Sequence, residues 1–257
     1  MDIFKSYKDY LKMINKEIKE MHPSINFDEL ERFIPEYKQR YYYRLLPKWQ
    51  KYDRLIGHKG ISFLLLSLQR SKSLFTGFID CINTSNVVLA YLSTRAHFES
   101  TGSVVYLLSC LQKFYNNEIN LTKIEDTLSK LATSARTLPN SDHLHKFPDP
   151  INVLTLIDTV DKLFKDDNGK NLKIFRQCYD FLSEYCHPNM PGLLVGSHVT
   201  KNFELVIYEK SVFEDADFGI LINDMIISCT YFFDIYDRSF TLLKENEQIP
   251  DLVKPDN

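Results

Sequence analysis

The chain has 257 residues, a formal net charge of -3, 44% hydrophobic residues and 25% charged residues. That balance excludes a disordered, collagen-like or low-complexity chain. With only 8 glycines and 10 prolines, it argues against a β-sandwich that turns at roughly ten-residue intervals, and it favours long helices.

Ile3, Tyr7, Tyr10, Leu11, Ile14 and Ile18 recur at helical spacing, which predicts a first helix over residues 3–20 that ends at His22-Pro23-Ser24. A second helix is predicted to begin near Asp28 and, past Pro35, to continue over 36–53 with a kink at Pro47. Gly57-His58-Lys59-Gly60 reads as a break, followed by helices over 61–70 and 74–83. One long buried helix is predicted over 86–115. Another is predicted over 121–137, with Thr122 and Glu125 as a capping box. Residues 138–150 read as a loop, and 151–164 and 172–187 as helices, the second stopped by Pro188-Asn189-Met190-Pro191-Gly192. Leu193–Val199 and Phe203–Tyr208 flank Thr200-Lys201-Asn202 and predict a β-hairpin near 193–208. Helix resumes after Phe213, strongest over 218–243, and the tail from Asn246 is expected to fray.

The expected fold is mainly α: a multi-helix bundle with one small hairpin, in a single domain over 1–257. Within it the reading distinguishes a basic helical part over 1–72, a core over 73–190, the hairpin over 191–210, a C-terminal helix over 211–247 and a tail over 248–257.

Charge is unevenly spread. Residues 1–72 hold 15 Lys and Arg against 9 Asp and Glu, whereas 199–257 hold 5 against 12. This pattern fits a phosphate-binding front and an acidic partner-binding back, or two ends that attract each other. The five cysteines are odd in number and lack a C-x-x-C. They read as free thiols in a reducing, cytoplasmic setting. The most apolar stretch, Val87–Leu111, carries Arg95, His97 and Glu99 in its middle, so no membrane span is expected. Asp142, His143 and His145 lack a third ligand at useful spacing, and no metal or cofactor is expected. P-loop, dinucleotide, serine-hydrolase and zincin motifs do not occur.

Three segments could carry chemistry. Arg95 and Glu99, four apart, share a face of the long central helix, where a charge pair either lines a pocket or fixes packing. Ser183, Glu184 and His187 end another helix at a proline corner that could hold the imidazole. Tyr37 to Arg54 interleaves aromatic residues with Lys38, Arg40, Arg44, Lys48, Lys51 and Arg54. Such a run can contact phosphates and bases, or it can edge a core while its cations reach outward.

Leu92 to Glu99, Ile151 to Asp158 and Tyr179 to Asn189 together resemble a group of bacterial helical proteins with an R-x-x-x-E helix and an LSE-x-x-HPN turn. That group is distantly similar to the HEPN superfamily of helical ribonucleases and nucleic-acid-associated proteins. The resemblance covers about residues 60–190 and implies metal-independent RNA cleavage, in toxin or anti-phage roles, by a homodimer. His187 would be the acid/base, Arg95 would hold the phosphate, Glu99 or Ser183 would orient them, and Asn189 would contact RNA. The superfamily places its Arg four to six residues before its His; here those positions hold Ser183, Leu182 and Phe181. Arg95 would therefore have to fold beside His187. The alternative is a non-catalytic helical binding or regulatory subunit that engages a protein through the acidic 199–257 region or the hairpin edge.

Overall fold

A computed structural model describes residues 12–42, 44–46, 55–134, 147–163, 171, 173–195, 197–207 and 215–254. The elements are α1 (Lys16–Met21), α2 (Phe27–Glu31), α3 (Phe33–Gln39), β1 (Arg44–Leu46), α4 (Ile56–Asn83), α5 (Val87–Tyr115), α6 (Leu121–Thr133) and α7 (Val153–Leu163). They continue with α8 (Ile174–Cys186), α9 (Met190–Leu194), β2 (Ser197–Val199), β3 (Leu205–Ile207), α10 (Asp215–Asn246) and β4 (Asp251–Val253). The protein is mainly α with a small β2–β3 hairpin, as its periodicity predicts.

Several boundaries differ from those expected, each for a physical reason. No break occurs at Gly57–Gly60, because α4 runs through it for 28 residues. These glycines serve close approach. A Cβ on Gly57 would lie 2.5 Å from the Gln248 carbonyl oxygen, and one on Gly60 would lie 2.7 Å from Leu243. Residues 44–46 are strand, not helix, and they pair antiparallel with the tail that was expected to fray: Arg44 faces Val253, Leu45 faces Leu252 and Leu46 faces Asp251. The Tyr42 ring stacks on Phe240 at 6.3 Å, and the Lys254 ammonium lies 5.4 Å from the Tyr42 centroid. Pro35 sits in the first turn of α3, where its missing N–H forfeits no helical bond. The cap of α6 is Asn120, whose side chain accepts from the Lys123 N–H at 2.9 Å, not the Thr122–Glu125 box. Past Pro188 the chain forms α9, a five-residue helix, before the hairpin.

The chain gathers into two compact units. One comprises Met1–Gln39, Ser71–Phe98 and Gln177–Thr230, and the other comprises Arg40–Arg70, Glu99–Arg176 and Tyr231–Asn257. Helices α4, α5, α8 and α10 contribute residues to both. In the first unit Phe218 packs on Phe27 and His22, and Phe75 packs on Phe33 and Tyr37. In the second, Gly102 lets α5 approach the Leu156 backbone, where a Cβ would stand 3.0 Å from a carbonyl carbon. Asp161 caps α8, accepting from the Phe175 N–H at 3.0 Å and the Arg176 N–H at 2.9 Å. Residues 218–246 of α10 are long and apolar enough to cross a bilayer by composition, but 56% of the most apolar window is buried within the protein.

Candidate functional site

Of the predicted residues of the first unit, Arg95 lies on the seam between α5 and α8. Tyr91 stacks on Tyr185 with ring centroids 4.4 Å apart and planes 7° from parallel, and Phe181 meets both rings at an angle. One turn further along α5, the Arg95 guanidinium lies 5.3 Å from the Tyr179 centroid. Its Nη2 donates to the Tyr179 hydroxyl at 3.1 Å. Aromatic stacking and the cation over the ring are each worth about 1 kcal/mol, so this seam locks α8 to α5.

The remaining predicted residues build the corner after α8. The Ser183 hydroxyl donates to the Tyr179 carbonyl at 2.8 Å, inside the helix. Asn189 Nδ2 donates to Glu184 at 2.7 Å, and Asn189 Oδ1 accepts from the Gly192 N–H at 3.2 Å, which caps α9. His187 is exposed, and its backbone N–H donates to Ser183 at 3.2 Å. Arg95 therefore meets α8 at Tyr179, eight residues before His187. Eight residues of helix rise about 12 Å. Glu99 is half-buried one turn beyond Arg95 on α5.

The basic-aromatic run divides. Arg40 grips Asp237 with both arms, Nε to Oδ1 at 2.8 Å and Nη2 to Oδ2 at 2.6 Å, and its guanidinium lies 4.8 Å from the Phe233 centroid. This pair joins the basic N-terminal part to the acidic C-terminal helix within one chain, one of the two readings the charge asymmetry allows. Lys38 and Arg44 are exposed. Lys48, Lys51 and Arg54 lie outside the described residues, as do Asp142, His143 and His145. Among the described residues no three His, Cys, Asp or Glu side chains are grouped as metal ligands.

Sequence reasoning passed over a polar cluster centred on the fully buried His97. Its Nε2 lies 2.7 Å from Ser71 Oγ, 3.1 Å from the Tyr37 hydroxyl and 3.7 Å from Cys229 Sγ, and its Nδ1 lies 2.8 Å from Ser228 Oγ. Tyr37 and Ser71 are themselves 2.7 Å apart. Burial lowers the imidazole from its ordinary value to about 3 and raises the Tyr37 phenol and the Cys229 thiol. The cluster is neutral at pH 7. One ring nitrogen donates and the other accepts. A lone histidine flanked by Thr94 and Thr101 in an apolar helix was the available signal.

One turn before Ser228 lies Asp224, also buried, its carboxyl pushed up to about 6 by burial and held down in part by a hydrogen bond with Cys178. Its Oδ2 has no hydrogen-bond partner among the described residues.

Exposed apolar side chains gather in the segment after α8. On α9 and the hairpin, Phe203 is 91% exposed, Ile207 74%, Met190 71%, Leu193 70% and Leu205 57%. Register places Val199 opposite Leu205 and Ser197 opposite Ile207, so Val199, Leu205 and Ile207 share one face. Single exposed apolar residues are ordinary; here several lie on α9 and the hairpin.

No family model matches the sequence, and the searches of curated proteins and of solved structures found no match.

Proposed function

We propose that this chain is a non-catalytic helical interaction subunit that engages a protein surface through the arm formed by α9, β2 and β3. The observation that carries this reading is the exposed apolar face of Val199, Leu205 and Ile207, with Phe203, Met190 and Leu193 also exposed on the same arm. The competing reading, metal-independent RNA cleavage by His187, Arg95, Glu99 and Ser183, needs a guanidinium beside the imidazole on one phosphate. Arg95 instead rests on Tyr179, Ser183 on its own helix and Asn189 on the cap of α9.

Two measurements test the reading. Purified protein incubated with mixed cellular RNA, with and without EDTA, is expected to leave the RNA intact. EDTA-resistant cleavage, lost in both Arg95→Ala and His187→Ala with folding retained, would overturn the proposal. In cells, a photo-reactive phenylalanine analogue in place of Phe203 is expected to form a covalent adduct with a protein chain. Recovery of the unmodified chain alone would count equally against it.

A further inference from the structure

We infer that the arm's partner is a second copy of this chain, the two hairpins meeting face to face across a two-fold axis with the Phe203 rings at the centre of the contact. The inference rests on the arm being an interaction surface and names its occupant.

The first observation is conformational. The turn Lys201-Asn202-Phe203 is closed by Thr200 N–H to Glu204 O at 2.8 Å and Phe203 N–H to Thr200 O at 3.0 Å. The Thr200 hydroxyl adds a bond from the Glu204 N–H at 3.1 Å. A three-residue turn of this kind needs its last residue in the left-handed region, a position glycine fills without strain. Here it is Phe203, at φ 63°. The chain thus holds a bulky residue in a disfavoured conformation and presents its ring to solvent. Neither choice helps the isolated chain fold. Both suit a ring that is buried on association.

The second observation is the hairpin itself. A hairpin of two three-residue strands is marginal and gains from a covering layer, and its face of Val199, Leu205 and Ile207 is exposed. An isologous contact supplies that layer, since each apolar face covers its counterpart.

The third is charge. Residues 188–207 contain one cation, Lys201, and one anion, Glu204, both exposed and both at the hairpin tip. A neutral apolar patch with one charge of each sign has nothing to offer a polyanion such as RNA or an anionic bilayer. It is complementary to itself: a two-fold axis at the tip sets Lys201 of one copy against Glu204 of the other.

Sedimentation velocity on the purified full chain tests this. At concentrations on the order of micromolar, the protein is expected to sediment at twice its 30.2 kDa mass. Phe203→Gly and Ile207→Lys are each expected to weaken association at least tenfold, while Leu66→Lys, which removes an exposed apolar residue of α4, leaves it unchanged. Phe203→Gly separates loss of contact from loss of fold, because glycine relieves the left-handed strain. Its monomer is expected to melt no lower than the parent at equal concentration of monomer. A wild-type chain that stays monomeric, or a dimer that survives both arm substitutions, would overturn the inference. If the wild type is monomeric while the position-203 crosslink captures a different chain, the interaction reading stands and self-association alone fails.

Discussion

Replacing Asp224 by Asn should change the pH dependence of stability in a way fixed by two buried groups. His97 titrates at about 3 in the folded chain against an ordinary 6.5, and Asp224 at about 6 against an ordinary 3.8. Between roughly pH 4 and 6 the unfolded chain gains a proton on His97 that the folded chain refuses, so this group makes stability rise with pH. Over the same range the folded chain keeps a proton on Asp224 that the unfolded chain releases, so this group makes stability fall with pH. Each slope is about 1.4 kcal/mol per pH unit, and the two cancel. In Asp224→Asn only the His97 slope remains. The variant should gain about 3 kcal/mol over the wild type between pH 4 and pH 7, since two units at 1.4 kcal/mol set the scale. Below roughly pH 4 the two proteins should differ only by the hydrogen bond to Cys178. Urea unfolding followed by circular dichroism at constant ionic strength, at several pH values, measures the difference directly. Every other titrating group is common to both proteins and drops out. A difference that does not grow with pH, or a variant less stable at neutral pH, would refute the assignment of a buried carboxyl held mainly neutral by desolvation.

Glycines on the long helices should respond in opposite directions to alanine. Gly57→Ala drives a Cβ into the Gln248 carbonyl and the Glu247 side chain and should lower stability by about 1–3 kcal/mol, measured by urea midpoint. Gly219 has nothing within 4 Å of its Cβ position, so Gly219→Ala should raise stability by about 0.5–1 kcal/mol. Asp161→Ala leaves two N–H groups of the first turn of α8 without their acceptor, which should cost about 2 kcal/mol. Asp161→Asn, which keeps one acceptor oxygen, should recover part of that loss in the same assay.

What could be read from the chain follows from how local the causes are. The span of α5 was legible because Val87 to Tyr115 is apolar and free of Gly and Pro at its ends, and only its own sequence decides it. The hairpin was legible for the same reason, since β-branched and aromatic residues lie on both sides of Thr200-Lys201-Asn202, although Phe203 joins the turn and the strands are shorter, at 197–199 and 205–207. Gly57 and Gly60 misled because glycine signals either a break or a close approach, and the approaching atoms belong to residues 243–248. The pairing of Arg44 with Val253 was invisible since neither three-residue strand has a period to read. The candidate site was legible as residues and not as an arrangement. A helical wheel sets Arg95 and Glu99 on one face, but only tertiary packing reveals that the cation meets Tyr179. His97 was noticed for the cost of charge in lipid, and Tyr37, Ser71, Ser228 and Cys229 reach it from three other helices.

The segment Leu182 to Asn189, which suggested acid-base chemistry, has a structural account that leads to the arm. The Ser183 hydroxyl donates a hydrogen bond to the Tyr179 carbonyl, Asn189 donates to Glu184, and Asn189 caps α9. Gly192 packs so tightly on the His187 carbonyl that any side chain there would collide with it. These residues turn the chain sharply from α8 into α9 and the hairpin. The buried network around His97 is equally constrained, because Tyr37, Ser71, His97 and Ser228 meet in one register only. A slip of one helical turn, about 5.4 Å, would leave those buried groups unpaired. Apolar side chains of similar size could replace such a network at little loss of stability, so what it adds is a fixed register. Association gains when the contacting element is held in place beforehand, since less ordering remains to be done on contact. A five-residue helix and two three-residue strands cannot supply that rigidity themselves. It comes from the polar corner that joins them to α8 and from the aromatic seam that ties α8 to α5.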